Sequence, residues 1–156
     1  MTDEPKNLTG VRVHPPLLAL LHLIAAFLLG WLVPLPLPQP GWLFVVGWGI
    51  VLVGIALAFW AGTYFRLART TFDPHGGTTA IVRGGPYRFT RNPIYVGYVC
   101  LVIGFPLVIN IYWGLVLAPL LVVLMDRLVI EYEEAYLAVQ FGQPYLDYKA
   151  RVRRWL

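Results

Sequence analysis

The sequence has almost no cysteine. Cys100 is alone in 156 residues, which excludes an intrachain disulfide and a multi-cysteine metal site. It falls in an apolar run and reads as a small buried hydrophobe. Charge is scarce as well, at 13% of residues against roughly a quarter in an ordinary soluble domain. No Lys, Arg, Asp or Glu lies between Arg12 and Arg66, and none between Arg91 and Asp126. Gaps of that length exclude a solvated surface over much of the chain and point to lipid. The net charge is +4 and the pI about 9.4, yet the basic residues flank apolar runs and form no dense arm, so nucleic acid is not an expected partner. No cluster of cysteines and carboxylates at ligand spacing occurs, and no metal is expected. Internal repeats are lacking. The one biased segment, Pro34, Pro36, Pro38 and Pro40, reads as a stiff connector.

Apolar residues make up 58% of the chain. About 20 apolar residues carry a helix across ~30 Å of hydrocarbon. The run over 15–33 meets that length and is read as a retained span, with no small-residue cleavage site after it. The proline ladder then ends the helix, because proline lacks the amide donor. A second span is expected over 41–65, with Trp42 at one mouth, Trp60 and Tyr64 near the other, and Arg66 and Arg69 beyond. Residues 66–92 carry Asp73, Pro74, Gly76, Gly77, Gly84, Gly85 and Pro86, too many turn formers for one helix. From Pro93 to Met125 the chain is apolar again. Gly104, Pro106 and Asn110 predict a break, giving spans near 93–108 and 110–130. The expected fold is all-α, a single polytopic membrane domain over 1–156, with about four transmembrane helices and a helical pocket at its carboxyl end. All twelve Lys and Arg fall in the amino-terminal segment, the 66–92 loop and the carboxyl-terminal segment. The positive-inside rule therefore predicts an integral protein of an inner or cytoplasmic membrane with both termini, the central loop and the active site on the cytoplasmic side. Gly47, Gly49 and Gly54 on the second span could support a homo-oligomer.

Two polar clusters flank the last two spans, and antiparallel packing would bring them to one face. The first runs from Gly84 to Gly97, the second from Glu131 to Gly142. S-adenosylmethionine asks for a carboxylate, for donors to its own carboxylate, and for aromatic or apolar walls. Glu133 or Glu134 offers the first, Arg91 and Asn92 the second, and Tyr87, Tyr95 or Tyr132 the third. The same residues also admit a plain structural reading. Arg127, Glu131 and Glu134 share a helix face and can pair with one another, Arg88 and Arg91 can anchor on headgroups, and Gly84-Gly85-Pro86 can be a turn.

The pattern Gly85-x-Tyr87-x-x-x-Arg91-Asn92-Pro93-x-Tyr95-x-Gly97 is followed by Glu133-Glu134, then by Phe141-Gly142 and by Tyr145-Leu146-Asp147-Tyr148-Lys149-x-Arg151-Val152. In this order it resembles the isoprenylcysteine carboxyl methyltransferase family, and more loosely the phospholipid methyltransferases, over residues 79–155. The resemblance implies an integral membrane methyltransferase with S-adenosylmethionine at the cytoplasmic face and a lipid-like or prenylated substrate entering from the membrane lipids. It implies cofactor contacts at Arg91, Pro93, Tyr95, Gly97, Glu133 and Glu134, beside Tyr87 and Asn92. Asn92 stands where the eukaryotic carboxyl methyltransferases usually have histidine, and asparagine cannot act as a base near neutrality.

Methyl transfer from a sulfonium demands alignment and removal of water. A carboxylate acceptor needs no deprotonation, so carboxyl O-methylation is the first expectation. An amine or thiol needs a proton acceptor such as Glu134, and a phospholipid N-methyltransferase is the alternative. Arg91 or Arg151 could hold an acidic substrate group, whereas Arg153 and Arg154 are assigned to headgroups. A scaffold without catalysis is the remaining reading. His14, His22 and His75 are weak candidates.

Overall fold

The computed structural model describes residues 13–38, 40–68 and 80–156. Arg69, Asp73, Pro74, His75, Gly76, Gly77 and Thr79 of the polar loop, and the charges of the amino-terminal segment up to Arg12, lie outside the described residues. Among the described residues every named element is helical, as the apolar runs require once backbone groups must be satisfied within each segment.

Helix α1, Pro15–Leu32, starts on two prolines that suit a first turn and ends before the proline ladder. Helix α2, Trp42–Leu67, has 26 residues. A single 3-10 turn over Gly85–Arg88 leads to α3, Pro93–Val108, with 16 residues. Helix α4, Trp113–Met125, runs without a break through a π turn, Asp126–Ile130, into α5, Glu131–Phe141. Gly142 at φ 58° separates α5 from α6, Gln143–Arg151, which has Pro144 in its first turn; a positive φ is one that glycine adopts readily.

Among the described residues three helices are long and apolar enough to cross a membrane: Pro15–Leu32, Trp42–Leu67 and Trp113–Phe141. The shorter apolar α3 lies among them, and at 1.5 Å per residue is about 24 Å long. The molecule is an all-α polytopic membrane protein. The break expected near Asn110 is present, but Gly104 and Pro106 lie inside α3. The chain turns at Asn110 itself, whose φ is 59°. Its amide donates to Leu107 O at 3.0 Å and that of Ile111 to Pro106 O at 2.9 Å, the paired bonds of a Schellman cap.

Helix α3 is the hub, packing against α1, α2 and α4. Leu18, Ala19, Tyr95, Val102, Leu121, Met125, Val129 and Ile130 form the core between α1, α3 and the α4 rod. On its other side α3 meets α2 at two glycine pairs. A Cβ on Gly54 would stand 2.9 Å from Gly97 O, and one on Gly47 would stand 2.9 Å from Gly104 O. Each pair is seven residues from the next on both helices, so the backbones touch twice along one seam. Gly47 and Gly54 are thus used inside the chain, not on a face for self-association. Gly49 meets nothing within 4 Å.

Candidate functional site

The amino end of α3 and the carboxyl end of the α4 rod lie together, as two antiparallel neighbours must. At that end the carboxyl-terminal segment folds back onto residues 90–92. The Arg91 amide donates to Arg153 O at 2.9 Å. Thr90 Oγ1 and Asn92 Nδ2 each donate to Arg154 O at 3.0 Å. Trp155 Nε1 donates to Asp126 Oδ1 at 3.0 Å in the π turn. These bonds tie α3, the π turn and the carboxyl-terminal segment into one unit.

Glu134 sits at its centre, 4% exposed. Arg91 Nη2 donates to its Oε1 at 2.7 Å, with Nε also in reach at 3.2 Å. Arg154 reaches both carboxylate oxygens, Nη2 to Oε2 at 2.8 Å and Nε to Oε1 at 3.1 Å. The Lys149 ammonium lies 2.9 Å from Oε2. The remaining nitrogen of Arg91, Nη1, donates to Lys149 O at 2.8 Å and Val152 O at 2.7 Å. Three cations therefore converge on one buried carboxylate, and all three nitrogens of Arg91 are engaged.

Glu133 has a different environment. It accepts the Tyr95 hydroxyl at 2.6 Å, and among the described residues no ion pair reaches it. Tyr87 lies nearby in the 3-10 turn, its ring edge-on to Phe65 with centroids 5.5 Å apart, and its carbonyl accepts the Tyr148 hydroxyl at 2.8 Å. Burial, with the neighbouring Tyr148 and Glu133, pushes the Tyr87 phenol far above its ordinary value. Burial likewise raises Tyr145 and takes Tyr148 up to about 12. These phenols stay protonated donors at neutral pH. Gly84 and Gly85 are required here because the Tyr64 ring lies against both, and Gly85 adopts φ 56°.

Of the residues expected from sequence, Tyr87, Arg91, Asn92, Pro93, Tyr95, Glu133 and Glu134 come together at this end. Gly97 packs against Gly54 instead, and Arg151 is exposed, its Nε donating to Asp147 O at 3.0 Å within α6. Arg127 and Glu131 pair with each other at 2.9 Å on the exposed side, without Glu134. His22 is buried and bonded to Leu18 O at 2.8 Å in its own helix. Sequence reasoning missed Arg154, Lys149, Asp126 and Thr90. For Lys149 and Arg154 the signal was the density of charge near the carboxyl end, which carried no pairing information; Thr90 and Asp126 had none.

The two carboxylates, Glu133 and Glu134, suit cationic groups of a ligand. An ammonium from Lys149 already rests on Glu134, and Lys149 is 40% exposed, so it can yield that position to another ammonium. Tyrosine rings and Glu133 provide surroundings that favour a cation. The arginine fork of Arg91, by contrast, is already filled by Glu134.

A family model described as phospholipid methyltransferase matches residues 42–144. Comparison with curated proteins and with solved structures gave no match. The matched region contains Arg91, Glu133 and Glu134, whereas Lys149 and Arg154 lie beyond it.

Proposed function

The chain belongs to the phospholipid methyltransferase family, and on that premise we propose that it moves a methyl group from S-adenosylmethionine to an amine carried by a membrane lipid. The observation that carries the choice of acceptor is the division between the two glutamates. Arg91 and Arg154 stay on Glu134 when Lys149 leaves it, so neither arginine fork is open to an acceptor carboxylate. Glu133, held only by a phenol among these contacts, suits a cationic or proton-releasing acceptor.

When bound, S-adenosylmethionine supplies an electrophilic methyl carbon whose bond to sulfur breaks with the electron pair leaving on sulfur. Glu134 would take the donor's ammonium in exchange for Lys149. Tyr87 and Tyr95 would wall the cationic sulfur, and Pro93 and Asn92 fix the start of α3 beneath it. The acceptor nitrogen uses its lone pair to form the new N–C bond, and its proton goes to a Glu133 oxygen. Glu133 is the better base because a carboxylate clamped by three cations is a weak one. The apolar faces of the spans let the acyl chains remain in the bilayer while the head reaches the cluster.

Carboxyl O-methylation is the second reading, favoured by the likeness of residues 85–97 to the isoprenylcysteine enzymes. Purified protein in nanodiscs is supplied with methyl-labelled S-adenosylmethionine and either phosphatidylethanolamine or a farnesylated cysteine. We expect label on the amine lipid, and at least a hundredfold less with Glu133→Gln. Base-labile label on the farnesylated cysteine alone would replace the amine reading with the ester one.

A further inference from the structure

Asparagine is among the residues best suited to cap the amino end of a helix, its side chain accepting a backbone amide of the first turn. Asn92 stands at that position before Pro93 and makes no such bond. Its side chain is turned instead to the carboxyl-terminal segment, where Nδ2 donates to Arg154 O at 3.0 Å. Thr90, 1% exposed, donates its hydroxyl to the same oxygen at 3.0 Å and accepts the Asn92 amide at 3.1 Å. Both lone pairs of the Arg154 carbonyl are thus taken by the two residues that flank Arg91.

The far end of the same residue grips Glu134. Arg154 Nη2 and Nε donate to the two carboxylate oxygens at 2.8 and 3.1 Å, and Nη1 lies 3.6 Å from Asp126 Oδ1. Arg91 meets Oε1 of Glu134, whereas Lys149 shares Oε2 with Arg154. When Lys149 yields its place to another ammonium, Arg154 is the group that keeps Oε2 in position. A fork on so long a stem orients a carboxylate only while its own backbone is fixed by further bonds. Asn92 and Thr90 supply them.

We propose that Asn92 is a positioning residue for the methyl donor, acting through Arg154 on Glu134 and not as a contact of the cofactor itself. This rests on the reading of Glu134 as the seat of the donor's ammonium. The geometry also supplies clean variants. Because the side chain makes no cap bond, Asn92→Ala removes the bond to Arg154 O at little cost to the start of α3. An imidazole Nδ1 stands as far from the backbone as the asparagine amide nitrogen and carries a proton when it donates. Asn92→His therefore keeps the bond.

The test titrates S-adenosylmethionine calorimetrically into the full chain as wild type, Asn92→Ala, Asn92→His, Arg154→Met and the double variant Asn92→Ala with Arg154→Met, each checked for helical content. Asn92→Ala should weaken binding about tenfold, the scale of one lost hydrogen bond, and Asn92→His should restore it. In the Arg154→Met background Asn92→Ala should add nothing, since residues that act in series are not additive. A loss of equal size in both backgrounds marks a direct cofactor contact and overturns the proposal. Hydrogen exchange on the ligand-free proteins tests the link by itself. The Arg91 amide, bonded to Arg153 O at 2.9 Å, should exchange faster in Asn92→Ala than in the wild type or Asn92→His. Equal exchange in all three overturns the link whatever the titration gives. No binding by the wild type, with exchange responding as expected, overturns the reading of Glu134 and the role of Asn92 with it.

Discussion

Glu134 shows how one buried charge organises its surroundings. Removing Arg91 leaves a carboxylate that is 4% exposed short of its closest partner. Breaking a buried pair in that way costs about 3–5 kcal/mol. Arg91→Ala is therefore expected to lower the melting temperature in detergent by several degrees. Arg151→Ala, on an exposed side chain, should leave it unchanged, and thermal melts of the two variants distinguish them. Lys149→Met gives a different expectation. It frees one position on Glu134 and keeps both arginines, so S-adenosylmethionine should bind at least as tightly as to the wild type in a calorimetric titration. The residue types of the site were legible in the sequence because sulfonium chemistry calls for carboxylates, arginine and aromatics. Which cation meets which carboxylate was not, since Glu134 and Arg154 are separated by α6 and no helical spacing relates them. Arg154, assigned from sequence to headgroups, proves to be the fork that grips both oxygens of Glu134.

Helices were legible where composition alone decides them. Apolar runs without charge must fold their backbone bonds inward, and α1, α2 and α3 begin and end within two residues of the expected bounds. Neighbour relations were less accessible. α3 packs against both α1 and α2, and its glycines bring its backbone against that of α2. The seam gives a direct prediction. Gly97→Ala and Gly104→Ala push a methyl group against backbone oxygens at 2.9 and 2.8 Å, and over-packing of this kind costs about 1–3 kcal/mol. Gly49→Ala, with nothing within 4 Å, should be neutral or slightly stabilising, as alanine is the better helix former. Denaturation in mixed micelles compares the three. The π turn was invisible in the sequence. It places Asp126 against Trp155 and Arg154 partway along a rod that composition reads as continuous, and such turns recur at functional sites.

At the scale of the whole molecule, polarity is segregated by end. Arg66, Arg83, Arg88, Arg91 and the carboxyl-terminal cations gather at the end that holds Glu134, while the turn around Asn110 at the other end of α3 carries no Lys, Arg, Asp or Glu. On the positive-inside rule we propose that the Glu134 end faces the cytoplasm. In spheroplasts of a bacterial host, with Cys100→Ser as background, Leu37→Cys should react with an impermeant maleimide from outside, and Leu156→Cys only after permeabilisation. The reverse pattern would invert the topology. Everything proposed for catalysis rests on the Glu134 cluster receiving the methyl donor's ammonium. Calorimetric titration of S-adenosylmethionine into purified wild type and Glu134→Gln, both checked for helical content, tests that claim most directly. Saturable binding by the wild type, weakened at least tenfold by the substitution, is the predicted result; no binding by the wild type, or equal affinity in the two proteins, would contradict it.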